Sequence, residues 1–348
     1  MASPYRFHPR RCGTTSAEVK ARSACGQDAV RIRDHHGTMA QTEGFMVRDG
    51  LRTWYEVTGD SDNDATPLVI CHGGPGITSD YLTSVAEKSG RTCVRYDQIG
   101  CGHSDRLPDA GADFWTVELF VRELEDLVRH LGFDGDYAVL GHSWGGMLAL
   151  ELAARAPSGL RSLVIADAYA SSATYSRHVT ALVHALPPDV REIIERHEAA
   201  GTTESPAYQE AVRFFYGRHV CRRRPVPDEL LRTLAALGED STVYRAMAGP
   251  SEFAMTGSLR DWQILDRLGA IEVPVLLISG RHDEVAPPVV DELYQGLRDA
   301  SWLLFEESSH MPHLEEPERF LDAVSTFLAK ACHPTQSRLT RGAGVDAS

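Results

Sequence analysis

A serine with glycine two places away on either side, Gly141-His142-Ser143-Trp144-Gly145, stands between an apolar run at residues 137–140 and a helix-forming stretch at 147–156. A strand that turns into a helix within so few residues must bend sharply at the serine. Glycines at the flanking positions remove the Cβ atoms that would collide in the bend. The hydroxyl is then presented at one edge of a sheet, which restricts the chain to architectures of alternating strands and helices. Alone, this pattern occurs by chance in many proteins and describes no more than a Gly-rich turn. Its strand and helix setting, and two partner motifs further along, give it weight.

The rest of the chain repeats the strand and helix rhythm. Short apolar runs at 67–71, 92–96, 137–140, 162–166, 274–278 and 301–305 read as buried parallel strands. Residues 45–48 and 51–57 flank Asp49-Gly50, a strong hairpin signal, so an antiparallel pair opens the sheet. Phe120, Leu124, Leu127, Val128 and Leu131 share one face of a helix that Gly132 ends. This pattern predicts a doubly wound, mostly parallel α/β sheet. From about Tyr169 to Trp262 the rhythm stops: helical patterns at 179–186, 189–197, 207–216 and 228–237 follow one another without a buried strand, and strand character returns at Val273. A helical cap inserted into the sheet accounts for both. The expected organisation is an unstructured extension at 1–42, core at 43–168, cap at 169–262, core again at 263–334, and a loose tail at 335–348.

Charge and cysteine content exclude several functions. A net charge of −14 over 348 residues argues against nucleic acid and anionic membrane as partners, because both require clustered Lys and Arg to displace counterions. No apolar run approaches the roughly 18 residues that span a bilayer. Seven cysteines without a C-x-x-C spacing indicate neither a disulfide framework nor a zinc site, so a reducing compartment, the cytoplasm, is expected. Cys71 and Cys101 read as small buried hydrophobes. The first 38 residues are Arg-rich and lack a secretory apolar core; Met39 reads as an alternative start, and Glu18, Asp28 and Asp34 weigh against a mitochondrial transit peptide. Arg222-Arg223-Arg224 before Pro225 reads as a solvated loop.

A serine hydroxyl is a poor nucleophile at neutral pH unless a base takes its proton and a carboxylate orients that base. In this architecture the acid and then the histidine follow the serine along the chain. Asp283 lies just past the run at 274–278 and His310 just past the run at 301–305. His313 has a metal-like spacing from His310, but without a third clustered ligand it reads as structural; no metal and no cofactor is expected. The oxyanion formed on attack needs two N–H donors. The amide of Trp144 supplies one, and the loop after the first parallel strand, His72-Gly73-Gly74-Pro75-Gly76, supplies the other through Gly74.

That loop, with residues 96–104, Gly141-His142-Ser143-Trp144-Gly145-Gly146 and Gly249-Pro250-Ser251-Glu252-Phe253, resembles the proline iminopeptidase family of α/β-hydrolases, in the branch of the tricorn-interacting aminopeptidases and L-amino-acid amidases. The similarity spans residues 43–331. It implies removal of an N-terminal residue, proline or another small or apolar one, from short peptides, or hydrolysis of amino-acid amides. It also implies that Glu252 and Glu284, assisted by Tyr244, hold the substrate's free α-ammonium. Two carboxylates beside a closed apolar pocket repel each other and hold their protons unless a cation joins them, which agrees with that role. His142 departs from the family, where many members carry Gln. An esterase, thioesterase or lactonase of a biosynthetic pathway would use the same triad, and a ligand-binding protein could share the scaffold without turnover.

Overall fold

A computed structural model describes residues 41–59 and 65–331, together with the backbone of a short strand at Val30–Ile32. Met39, most of the 1–42 extension and the 335–348 tail lie outside the described residues. The strands are β1 (Val30–Ile32), β2 (Gln41–Arg48), β3 (Leu51–Thr58), β4 (Leu68–Cys71), β5 (Cys93–Tyr96), β6 (Tyr137–His142), β7 (Leu160–Ala166), β8 (Val275–Gly280) and β9 (Ala300–Phe305). They form one nine-stranded sheet in the order β1-β2-β3-β5-β4-β6-β7-β8-β9. The pairings from β1 through β3 to β5 are antiparallel, and every pairing from β5 through β4 to β9 is parallel.

The helices are α1 (Thr83–Lys88), α2 (Val117–His130), α3 (Trp144–Ala153), α4 (Ser172–His184), α5 (Pro188–Ala199), α6 (Pro206–His219), α7 (Asp228–Glu239), α8 (Thr242–Met247), α9 (Pro287–Gly296), α10 (Pro312–Glu315) and α11 (Pro317–Ala331). Strands buried on both faces must send alternate side chains to opposite sides. Val69 and Cys71 of β4 enter a core with Val139 of β6, Leu124 of α2 and Val289 of α9. Leu68 and Ile70 enter a second core with Leu140, Val85 of α1 and Val324 of α11. Helices therefore cover both faces, and the doubly wound, mostly parallel architecture is as expected. Helices α4 to α8 all fall between β7 and β8, in the stretch where the sequence shows no buried strand.

The structure corrects two expectations. Residues 301–305 were expected to form a fully buried strand, but β9 lies at the sheet edge, and Ser301 and Leu303 are exposed. An outermost strand has no neighbour on one side, and apolar content alone does not reveal that position. The extension also contributes β1, whose Val-Arg-Ile sequence pairs with residues 41–43 of β2.

Chain direction sets the location of the site. From β4 the chain moves outward to β5, then returns to the other side of β4 to form β6. Loops leaving the C-terminal ends of β4 and β6 diverge there, and such a switch point opens a crevice above the sheet. The segments after β4, β5, β6, β7, β8 and β9 carry Gly74, Gln98, Ser143, Asp167, Asp283 and His310 respectively.

Candidate active site

Ser143 joins β6 to α3 with φ +54° and ψ −123°, a left-handed backbone that costs a non-glycine residue energy. Its N–H donates to the carbonyl of Ala166 on β7 at 2.9 Å, and its carbonyl accepts from the Gly146 N–H at 2.8 Å as the helix starts. The flanking glycines are forced by contact: a Cβ on Gly145 would lie 2.1 Å from the Cys71 carbonyl oxygen, and one on Gly141 would lie 2.2 Å from the Gly145 oxygen. Trp144 opens the helix, so its amide has no preceding turn to bond to.

His310 and Asp283 meet directly, with Nδ1 of the imidazole 2.7 Å from Oδ1 of the carboxylate, both buried. The same oxygen accepts the Val285 N–H at 2.9 Å. Burial opposes a charge on His310, but the adjacent Asp283 carboxylate outweighs it and lifts the imidazole above its ordinary value of 6.5. Nε2 is left for chemistry. Asp167, Asp283 and His310 hold one potential ligand atom each within 4.8 Å of one another, a spacing a metal ion could use. Within the cluster, His310 and Asp283 are joined directly by a hydrogen bond.

Ser143, His310, Gly74 and Trp144 line one pocket together with Glu252 and Glu284; its empty space, open solvent included, is about 310 Å³. Its other walls include Met147, Tyr169, Tyr175 and Leu259. Glu284 is 1% exposed, and its Oε2 has no hydrogen-bond partner. Oε1 lies 3.8 Å from His310 Nε2. Glu252 is partly buried and accepts the Tyr244 O–H at 2.6 Å. Tyr244 thus bonds to Glu252 and is not itself among the pocket's lining residues. Burial, with the charges of Glu252 and Asp283, pushes Glu284 well above the carboxylate range; burial also raises Glu252, against the pull of Tyr244 and His310. All eight site residues named from the sequence therefore fall in one neighbourhood.

Several bracing groups had no signal in the sequence. His142 Nε2 donates to the His310 carbonyl at 2.7 Å, so its Nδ1 accepts from the Tyr81 hydroxyl at 2.8 Å, and that hydroxyl accepts the Gly73 N–H at 2.7 Å. This chain of bonds ties the glycine loop after β4 to the histidine loop after β9. Gln98 holds the Trp144 indole N–H at 2.8 Å and donates to the His72 carbonyl at 3.0 Å. The carbonyl of His219, at the end of α6, accepts from both the Glu284 and the His310 amides at 3.2 and 3.3 Å. Arg222 and Arg223 are more than a solvated loop: they bond to Glu315, to the Glu307 carbonyl and to the Leu314 carbonyl, fastening the inserted helices to the segment that carries His310. His313 packs against Tyr81, His142 and Phe320, and burial lowers it to about 3, which agrees with a structural role.

Comparison with known proteins gives concordant results. The family described as alpha/beta hydrolase fold matches residues 66–317. A proline iminopeptidase of Saccharolobus solfataricus is 34% identical over 291 residues, covering 82% of this chain and 92% of that one. Among solved structures, the proline iminopeptidase of Mycobacterium smegmatis is 42% identical with a TM-score of 0.77, and VinJ is 46% identical with a TM-score of 0.81. Each alignment covers 83% of this chain and 98% of the other.

Proposed function

Because this chain belongs to the proline iminopeptidase family of α/β-hydrolases, we propose that it is a serine aminopeptidase that releases an N-terminal residue, proline or another small or apolar one, from short peptides or amino-acid amides. Ser143 attacks the carbonyl of the first residue while His310 Nε2 takes its proton, and Asp283 fixes the imidazole in the tautomer that leaves Nε2 free to accept. The N–H groups of Gly74 and Trp144 hold the oxyanion. His310 then returns the proton to the leaving amine, and water repeats the sequence on the acyl-enzyme. Residues 169–262 act as the cap that closes this pocket. No helix among the described residues is long and apolar enough to cross a membrane, and Cys71, Cys93, Cys101 and Cys221 are free thiols, which supports a cytoplasmic enzyme.

The observation that carries the substrate assignment is Glu284. A buried carboxylate oxygen without a donor is costly, and a substrate ammonium placed between Glu284 and Glu252 would satisfy it. The ammonium would also neutralise the carboxylate that faces His310 Nε2, leaving the imidazole free to act as a base. A fluorophosphonate probe and a pair of prolyl arylamides, one free and one N-acetylated, test both parts. Ser143 is expected to carry the label, Ser143→Ala to lose roughly a millionfold in turnover by analogy with a serine protease, and the acetylated substrate to be refused. Equal hydrolysis of free and acetylated substrates would turn the reading to an esterase-type enzyme, and an unlabelled, folded protein would turn it to a binding protein.

A further inference from the structure

Asp167 is 0% exposed, immediately follows β7 and holds φ +53°. The strand before it lies between the strands that lead to Ser143 and Asp283. Its N–H donates to the Ile278 carbonyl at 2.9 Å, and its Oδ1 accepts the Gly280 N–H at 3.1 Å. Asp283 uses Oδ1 for His310 and Val285, and Oδ2 of both aspartates is buried with no hydrogen-bond partner among the described residues. A carboxylate oxygen of each nonetheless lies within 4.8 Å of one of the other's, close enough for a shared proton to join them. Ionised carboxylates only accept, so a bond between two of them requires one proton.

We propose that Asp167 is a positioning residue: it carries that proton and donates it to the free oxygen of the Asp283 carboxylate, holding the acid square to His310. The inference rests on the roles assigned above to Ser143, His310 and Asp283.

The surroundings decide which aspartate is neutral. Asp283 faces the imidazole that becomes cationic during turnover. Asp167 faces Asp283 from the loop after β8, His142 from the end of β6, and His310 and Glu315 from the segment after β9. His142 Nε2 is 3.9 Å from Asp167 Oδ2, but its proton is committed to the His310 carbonyl, and burial keeps that ring neutral. Among the described residues no Lys or Arg is paired with Asp167, while burial and the Asp283 charge both push its carboxyl well above the usual range. A neutral Asp167 supplies a donor without adding a second negative charge behind His310.

Two substitutions suit this left-handed backbone, because Asn tolerates positive φ and Gly prefers it. Asp167→Asn keeps an N–H donor and cannot ionise. Its turnover and the acid limb of its kcat/KM profile are expected to stay within a fewfold and a few tenths of a pH unit of the unmodified enzyme. Asp167→Gly leaves the Asp283 oxygen without its donor, at a cost of roughly tenfold to a hundredfold in kcat. Its acid limb should move to higher pH, since a less stabilised Asp283 charge holds the His310 proton more tightly. Variants in which Gly matches the unmodified enzyme in both kcat and limb, or in which Asn is as impaired as Gly, would overturn the proposal. Asp283→Asn and Ser143→Ala, assayed alongside, separate the two levels: if either retains full activity the triad reading itself fails, whatever Asp167 does. If Asp167→Gly does not fold, the Asn variant alone still decides, because a role for an ionised Asp167 requires it to lose activity.

Discussion

Replacing Glu284 by Gln tests the recognition of a charged amino terminus with little change of shape. The carboxylate is 1% exposed, so its contact with an ammonium is stronger than a surface pair. At about 3 Å and an effective dielectric near 20, the Coulomb term is about 5 kcal/mol. Part of it is spent at once, because burial and the neighbouring acids make Glu284 hold a proton that it must release as the ammonium enters. Gln also retains a carbonyl acceptor, and Glu252 remains in place with Tyr244 bonded to it. The net loss is therefore about 2 to 3 kcal/mol, or roughly 30- to 150-fold in kcat/KM. The assay is kcat/KM on a prolyl arylamide with a free amine and on its N-acetyl counterpart. The free substrate should suffer the whole loss and the blocked one almost none, so the ratio between them collapses. An equal decline on both substrates would refute the reasoning, because Glu284 would then be supporting the pocket and not reading the charge.

The raised His310 value has a direct kinetic reading: the base must be neutral to act, so kcat/KM should climb with pH through a midpoint above 6.5, and a midpoint below that in a pH–rate profile would contradict the Asp283 contact as its cause. Asp283→Asn should lower that midpoint and reduce kcat by about ten-thousandfold, judged against a trypsin-type precedent. Glu284 also links stability to pH. Unfolded, it ionises near 4.5; folded, it holds its proton to higher pH, so between those values the unfolded chain binds fewer protons and stability falls as pH rises. Glu284→Gln should therefore flatten the decline of Tm with pH above about 4.5, and parallel melting curves for the two proteins would count against a buried, strained carboxyl. Gly145→Ala should cost more than about 3 kcal/mol in denaturant unfolding, since the new methyl meets a backbone carbonyl that cannot swing away.

Much of the arrangement was readable from the chain because it depends on local order. The parallel strands showed themselves through continuous apolar runs, and the serine bend through glycines whose absent side chains leave room for Cys71 and for the helix itself. Asp283 and His310 were readable because each follows its strand directly. What escaped the sequence depends on proximity across the sheet. Asp167 looks like any turn acid until β7 is seen between β6 and β8. His142 looks like a family mismatch until its ring is found linking the Gly73 and His310 backbones. Arg222 and Arg223 look like solvated charge until the helical insertion folds back on α10. The edge position of β9 was hidden for the same reason, since strand order is a global property and hydrophobicity a local one.

The charge balance of the site bears on selectivity. Asp167, Asp283, Glu252 and Glu284 gather around one imidazole, and among the described residues no Lys or Arg lines the pocket that Glu252 and Glu284 share. Burial and neighbouring charges oppose full ionisation of such a cluster and favour protons on Asp167 and Glu284. These two protons differ in what can replace them. Asp167 is sealed behind the acid and has no route to substrate, so its proton stays. Glu284 opens on the substrate side, where a cation can displace its proton and occupy the same electrostatic position. An uncharged or acylated amino group offers no such exchange and leaves Glu284 protonated. With Glu284 in the proposed role, the pocket would select by charge before it selects by side chain, and the positive group would lie beside the carbonyl that Ser143 attacks.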